Sequence, residues 1–306
     1  MSTPLLSCVG AAHIDEVVML ENALHPGASN PARWRQSIGG VAANVCRAAT
    51  PHTDTQLIAA VGDDAYGAQL KNYFQSSLAC QPDTALRVVH DHATGRYCAV
   101  LDQHGELVIG LAETTIADQL TYQNIAATLD QSVRKPDMLV LDANLSHQCL
   151  RELCTQKPAP LLAALTVSPV KAMRLADHAA GIDLLFTNRR EAAALTGLPV
   201  QSDLQKLSTA LLASGFAEHV LTDGENNILV QSLRGSDQIS VTSSGTVQGV
   251  NGAGDALAGA SLAGITRGLP LLDAVANMGV AAAQNIVSGE SAAPGLPTIH
   301  RVNSHA

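Results

Sequence analysis

Near its C-terminus the chain carries Gly249-Val250-Asn251-Gly252-Ala253-Gly254-Asp255-Ala256-Leu257-Ala258-Gly259-Ala260, a glycine turn running into small, helix-forming residues. Glycines at a loop-to-helix junction let the backbone turn tightly and bring its N–H groups close to a ligand. The partial positive charge of a helix N-terminus then favours a phosphate or another anion. An aspartate at that junction would repel such a ligand if anion binding were the whole task. It fits where the acid takes a proton from an attacking hydroxyl while the amides hold a phosphoryl group. Asp255 is thus either a general base for phosphoryl transfer or a plain helix-starting acid behind a turn. A second string, Thr187-Asn188-Arg189-Arg190-Glu191, places Asn188 and Glu191 three apart on one helix face, the spacing of a capping box.

A scaffold must position these groups, and the bulk composition allows one. Of 306 residues, 46% are hydrophobic and 15% charged, the balance of a globular chain with a sizeable core. With one Trp, three Phe and four Tyr, that core must be built from Ala, Leu and Val. A net charge of −9 argues against non-specific binding to nucleic acid or anionic membranes. The six cysteines are scattered without a CxxC pair, which favours buried free thiols in a reducing compartment over disulfides or zinc. The N-terminus has no basic segment followed by a long apolar run, and no stretch reaches transmembrane length. The expectation is a soluble, cytoplasmic protein.

Leu5–Gly10, Leu57–Val61, Met138–Asp142, Leu161–Leu165, Leu184–Phe186 and Val220–Leu221 are near-continuous apolar runs, the pattern of strands covered on both faces. Helical segments of about 10 to 15 residues between them give the βαβ spacing of a parallel sheet. Such sheets bind ligands at the C-terminal ends of their strands, which is where Asp15 follows the first run. It reads as a hydroxyl-binding carboxylate or a solvated turn acid. Asp63, after the second strand, reads mainly as a helix cap. Between 85 and 112 the character changes. Arg87–Val89, Gly95–Leu101 and Glu106–Gly110 are short strands without intervening helices, with a turn at Asp102–Gly105, and they suggest a small added sheet. Residues 226–230 and 239–242 read as a late hairpin, 274–285 as a helix, and the tail from Pro294 as poorly ordered.

Gly252-Ala253-Gly254-Asp255 with its small-residue helix resembles the C-terminal signature of the PfkB (ribokinase-like) family of sugar and nucleoside kinases. Other strings agree in chain order: Gly39-Gly40 with Asn44, Gly62-Asp63-Asp64-Ala65-Tyr66-Gly67, Asn188 with Glu191, and Thr222-Asp223-Gly224. The resemblance runs from residue 5 to about 290. It implies one kinase domain over 1–306, a three-layer, doubly wound, mostly parallel α/β sheet, and a small β-sheet lid from about 12–37 and 85–112. It also implies transfer of phosphate from ATP, with Mg2+, to a hydroxymethyl group. In that frame Asp255 is the base, and the amides of Gly252, Ala253 and Gly254 hold the transferring phosphoryl group. His13, Asp15, Gly39, Gly40, Asn44, Thr94, Tyr97 and Asn144 surround the acceptor. Asn188, Thr222, Gly224, Asn251 and Asn285 line the ATP site, and Glu191 holds magnesium, through water. Lys171 either reaches the ATP phosphates or is a solvated surface lysine.

The chain departs from the family at three points. His13 stands where Asn is usual, Asn227 where Gly is usual, and Gly249 where Asp or Asn opens the C-terminal signature. The last leaves activation by a monovalent cation open. Ser29-Asn30-Pro31, Thr94-Gly95-Arg96-Tyr97, Leu101-Asp102, Gly105-Glu106-Leu107 and Asp142-Ala143-Asn144-Leu145-Ser146 point within the family to a ribosyl acceptor, pseudouridine first. They weigh against ribokinase or adenosine kinase, while another sugar or nucleoside kinase (ribokinase, inosine–guanosine kinase or adenosine kinase) or a silent nucleoside-binding protein stands as the alternative. The lid would also supply a homodimer contact. A nicotinamide-dependent oxidoreductase lacks its feature here, since no Gly-x-Gly-x-x-Gly follows the first strand.

Overall fold

The computed structural model describes residues 3–76, 85–224, 226–241, 252–288 and 300–302. The strands of the first half are Leu5–Gly10 (β1), His13–Leu20 (β2), Ala32–Gly39 (β3), Asp54–Gly62 (β4), Ala85–Val89 (β5), Arg96–Leu101 (β6) and Leu107–Glu113 (β7). Those of the second half are Met138–Asp142 (β8), Leu161–Leu165 (β9), Leu184–Asn188 (β10), His219–Thr222 (β11), Ile228–Ser232 (β12), Gly235–Ser240 (β13) and His300–Val302 (β14). The helices are Val41–Ala49 (α1), Ala65–Ser76 (α2), Tyr122–Gln131 (α3), His147–Gln156 (α4) and Pro169–Ala172 (α5). Arg189–Thr196 (α6), Leu204–Ala213 (α7), Ala253–Thr266 (α8), Leu271–Ala274 (α9) and Val280–Ser288 (α10) complete them.

Among the described residues, ten strands form one sheet in the order β14-β13-β12-β11-β10-β9-β8-β1-β4-β5. From β11 to β5 every pairing is parallel, and β12 to β14 add an antiparallel edge. The continuous apolar runs behave as their pattern requires, with alternate residues feeding two separate cores. Leu6 and Cys8 of β1 and Val140 of β8 face α1, α2 and α8. Val9, Leu139 and Leu141 face α3, α4, α6 and α7. This is the doubly wound, three-layer arrangement expected, and its parallel strands all deliver their C-terminal ends to one rim. Apart from Phe74 and Phe216, the largest fully buried side chains are Leu, Ile and Met, as the scarcity of aromatics demands.

The lid is a separate four-stranded sheet in the order β3-β2-β6-β7. Its composition corrects one expectation. The expected lid span begins at 85, but β5 pairs in parallel with β4 at the edge of the large sheet, so of the three strands expected there the lid keeps β6 and β7. Half-buried edge positions look alike in sequence whichever sheet they join. Asp63 is not the cap of α2 either. Its carboxylate meets His90 at the surface, while Asp64 accepts from the Gly67 N–H at 2.8 Å. The late hairpin is present as β12 and β13, starting earlier on its second arm than expected. The 274–285 helix is α10 joined to α9 by a π-helical turn, Val275–Gly279. At the tail, His300–Val302 pairs with β13, and the rest of the segment from Pro294 lies outside the described residues. Gly249, Asn251 and Thr242 lie outside the described residues.

Candidate active site

Asp255 sits in the first turn of α8, at the wall of a cavity of about 370 Å³. Gly252 precedes the helix in a left-handed conformation with φ of 83°, and no side chain caps the helix N-terminus. The first intrahelical bond runs from the Ala256 N–H to the Gly252 carbonyl, at 2.9 Å. The amides of Ala253, Gly254 and Asp255 therefore precede the helical ladder. Gly254 is exposed, and a Cβ there would meet nothing within 4 Å, so this first turn opens on free space. The uncapped end contrasts with α6, whose Asn188 side chain accepts from the Arg190 and Glu191 amides. An uncapped helix end facing a cavity can receive an anion. The amides of Ala253 and Gly254, two of the three expected, stand ahead of the helical ladder, as does that of Asp255.

The α8 end is fixed against α1. The two helices approach so closely that a Cβ at Gly259 would stand 2.5 Å from the Val45 carbonyl oxygen. At the same junction the Asn44 Nδ2 donates to Asp255 Oδ2 at 2.9 Å. Burial, opposed by that bond and reinforced by the carboxylates of Asp142, Glu191 and Asp15, pushes the Asp255 carboxyl up to about 7. A group that titrates near neutrality beside an anion site is suited to proton abstraction.

The cavity's other walls come from the C-terminal ends of β9, β10 and β11. Leu165, Thr166, Val167, Phe186, Thr187, Asn188, Glu191 and Thr222 line it together with Gly252, Gly254 and Asp255. The capping-box reading of Asn188 and Glu191 is correct, since Glu191 Oε2 accepts from the Asn188 N–H at 3.2 Å. Glu191 also takes a short hydrogen bond from the Thr166 hydroxyl. Burial raises its carboxyl against those donors. Arg189 grips both oxygens of Asp223 at 2.7 Å each, so the residue after Asn188 holds the residue after Thr222. Gly224 follows in that same turn, with φ of 60°. On this wall Glu191 supplies a carboxylate, a hard oxygen ligand of the kind that suits magnesium. Among the described residues, no group of three His, Cys, Asp or Glu side chains is placed to hold a metal ion.

The acceptor-side candidates gather on the rim beside the lid. His13 Nδ1 lies 3.0 Å from Asp15 Oδ1, and the Asp15 carboxyl lies directly over Gly39. Gly40 must be glycine, because its φ is 99° and a Cβ would strike the Ala11 carbonyl oxygen at 2.3 Å. Tyr97 is opposite Asp15 in the sheet register, with its phenol lying across Gly110.

Three expected contacts are placed otherwise. Thr94 is fully buried, and its hydroxyl and amide both donate to Asp64, so it clasps the lid to the start of α2. Lys171 is neither a solvated lysine nor part of the cavity wall. Its ammonium is half-buried and donates to Asn144 Oδ1 and Thr114 Oγ1, near Asp142. That bond commits Asn144, itself nearly buried, to Lys171. Asn285 is in α10 and is not one of the residues that line the cavity, and its side-chain oxygen is buried.

Two residues that brace the site were not among the expected site residues. Asp142 is fully buried, and its carboxylate accepts from the amides of Ala11, Ala42 and Asn144, each at 2.9 Å. It ties the exit of β1, the start of α1 and the turn after β8 into one piece. Thr166 holds Glu191. Both are the first polar residue after an apolar run, as are Thr187 and Thr222, and that rule applied to every strand would have found them.

The chain was also compared with known proteins. The pfkB family carbohydrate kinase domain matches residues 3–299. The pseudouridine kinase of Escherichia coli is 26% identical over 270 residues, covering 87% of this chain and 85% of that protein. A carbohydrate kinase from Agrobacterium tumefaciens superposes with a TM-score of 0.79 at 29% identity, over 95% of this chain and 94% of the other. Arabidopsis thaliana ribokinase complexed with ribose and ATP superposes at 0.76 with 20% identity, over 94% and 93%.

Proposed function

The chain belongs to the pfkB family of carbohydrate kinases, and from that premise we propose that it phosphorylates the 5′-hydroxyl of a ribosyl compound, pseudouridine, at the expense of ATP. The observation that carries the reading is Asp255 at the uncapped first turn of α8, on the cavity that also holds Glu191, Asn188 and Thr222. The pseudouridine kinase relative supports the choice of acceptor, as does the lid pairing of Asp15 with Tyr97.

In this reading Asp255 accepts the proton of the 5′-hydroxyl as its oxygen bonds to the γ-phosphorus. The bond from that phosphorus to the β–γ bridging oxygen breaks, and ADP leaves with the electron pair. The amides of Ala253, Gly254 and Asp255 receive the charge of the transferring group, and His13, Asp15, Gly40 and Asn44 hold the ribosyl side. Glu191 and Asn188 face the phosphates, where bound Mg2+ would neutralise phosphate charge. Screening nucleosides and sugars for ADP release with ATP and magnesium tests the reading. Pseudouridine should give the highest kcat/KM, and preference for free ribose or adenosine would overturn the acceptor. ADP release with none of them would overturn the activity.

A further inference from the structure

We propose that Asn44 is a positioning residue for the catalytic base, holding Asp255 in its working rotamer and keeping it ionised, and not solely a reader of acceptor hydroxyls. The inference rests on the kinase reading of Asp255 and adds what tunes that group.

Asp255 is in an environment that disfavours its charge. The groups acting on it electrostatically are carboxylates from three other elements: Asp142 at the end of β8, Glu191 in α6 and Asp15 in β2. Burial is the largest effect, these carboxylates add to it, and the carboxyl is pushed up to about 7. From α1, the helix packed directly on α8, comes Asn44, whose Nδ2 donates at 2.9 Å and opposes the rest. A side-chain amide suits the task because it supplies a donor without a full positive charge that would compete with the phosphoryl group. A lysine there would neutralise the base, and an aliphatic residue would leave it protonated. The contact also selects an oxygen. With Oδ2 spent on Asn44, Oδ1 is left for the acceptor hydroxyl. The α1–α8 junction gives the contact no slack, since Gly259 lies against Val45 and Ala48.

Asn44→Leu removes the donor at similar volume, and Asn44→Asp keeps the shape while replacing the donor with a fourth carboxylate. Hydrogen bonds to a charged group are strong enough to move a carboxyl by about 1 to 2 pH units. The acid limb of kcat/KM, followed by ADP release from ATP–Mg and pseudouridine, should move up by that amount in Asn44→Leu. The loss should be about tenfold or more near pH 6.5 and should shrink towards pH 9. Asn44→Asp should move the limb at least as far. A limb that stays in place while the acceptor KM rises equally at all pH values would overturn the proposal and leave Asn44 an acceptor contact.

Carbon-13 NMR titration of the Asp255 carboxyl, assigned with Asp255→Asn, gives a second readout that needs no turnover. Its midpoint should rise in both Asn44 variants, and an unchanged midpoint would refute the tuning role even in a chain that phosphorylates nothing. Absence of ADP release from the unaltered protein with any acceptor would instead sink the kinase reading alone.

Discussion

Asp255→Asn should inactivate the protein and stabilise it together. The folded-state carboxyl titrates at about 7 against an ordinary 3.8. Between these values the native protein keeps a proton that the unfolded chain has released, so stability falls as pH rises from about 4 to about 7. Above 7 the full penalty for the buried charge is in force. The difference is about 3 units, and at 1.36 kcal/mol per unit the ceiling is about 4 kcal/mol. The residue is only half-buried and borders an open cavity, so water screening should reduce the realised gain to about 1–3 kcal/mol. For a chain of this size that corresponds to a rise in Tm of roughly 2–6 °C. An asparagine oxygen can still accept from Asn44 Nδ2, so the α1–α8 contact survives the change.

Thermal unfolding of both proteins from about pH 4 to pH 8 is the assay, alongside ADP release. The Tm difference should be near zero at the acid end and grow to its maximum above about pH 7. Turnover should fall by about 10² to 10⁴ as the base is lost. An Asp255→Asn protein no more stable at pH 8 than the parent would refute the argument that this carboxylate is held in an unfavourable environment. Near-normal turnover would refute its role as the base.

Other residues give predictions of the same kind. Thr166→Val removes the hydroxyl that donates to buried Glu191. The KM for ATP should rise about tenfold with the acceptor KM unmoved, and a change confined to the acceptor would refute the assignment of that wall. Fully buried His219, held between Ser208 and Phe216, is pushed down to about 4. The unfolded chain binds a proton there below about 6.5 and the native one does not, so acidification from 6.5 to 4 should cost about 3 kcal/mol. His219→Gln should flatten that part of the urea-midpoint profile. On the lid, Trp34, Ile109 and Leu111 are 62%, 48% and 54% exposed, large apolar groups that a second copy of the chain would cover. Sedimentation should show a dimer, and Trp34→Asp with Leu111→Asp should give monomers. A parent protein that sediments as a monomer at micromolar concentration would refute lid pairing.

The legible parts of this protein were those fixed by local chemistry. Near-continuous apolarity marked β1, β4, β8, β9, β10 and β11, because a strand covered on both faces feeds side chains into a core on either side. The polar residues such strands do hold, such as Ser7, Gln56 and His219, are paired there. The same principle explains the failure at β5. Arg87, Val88 and Val89 lie at an edge, where one side is solvated and composition does not say which sheet the edge extends. Asp63 and Asp64 are adjacent acids, and only the path of the chain decides which of them meets the Gly67 amide.

Asp142, legible only as part of a longer string, and Thr166 show a different limit, since their bracing roles come largely from partners more than 20 residues away. Glycine-rich strings announce a site because glycine is demanded by backbone geometry that no other residue meets. Buried polar residues that brace the site are demanded only by their partners, and these become visible once the strands are in register. Bracing residues of this kind form a layer around the site itself. His13 beside Asp15 and Lys171 between Asn144 and Thr114 stand in that layer, and substitutions there should move acceptor preference before they touch the phosphoryl step.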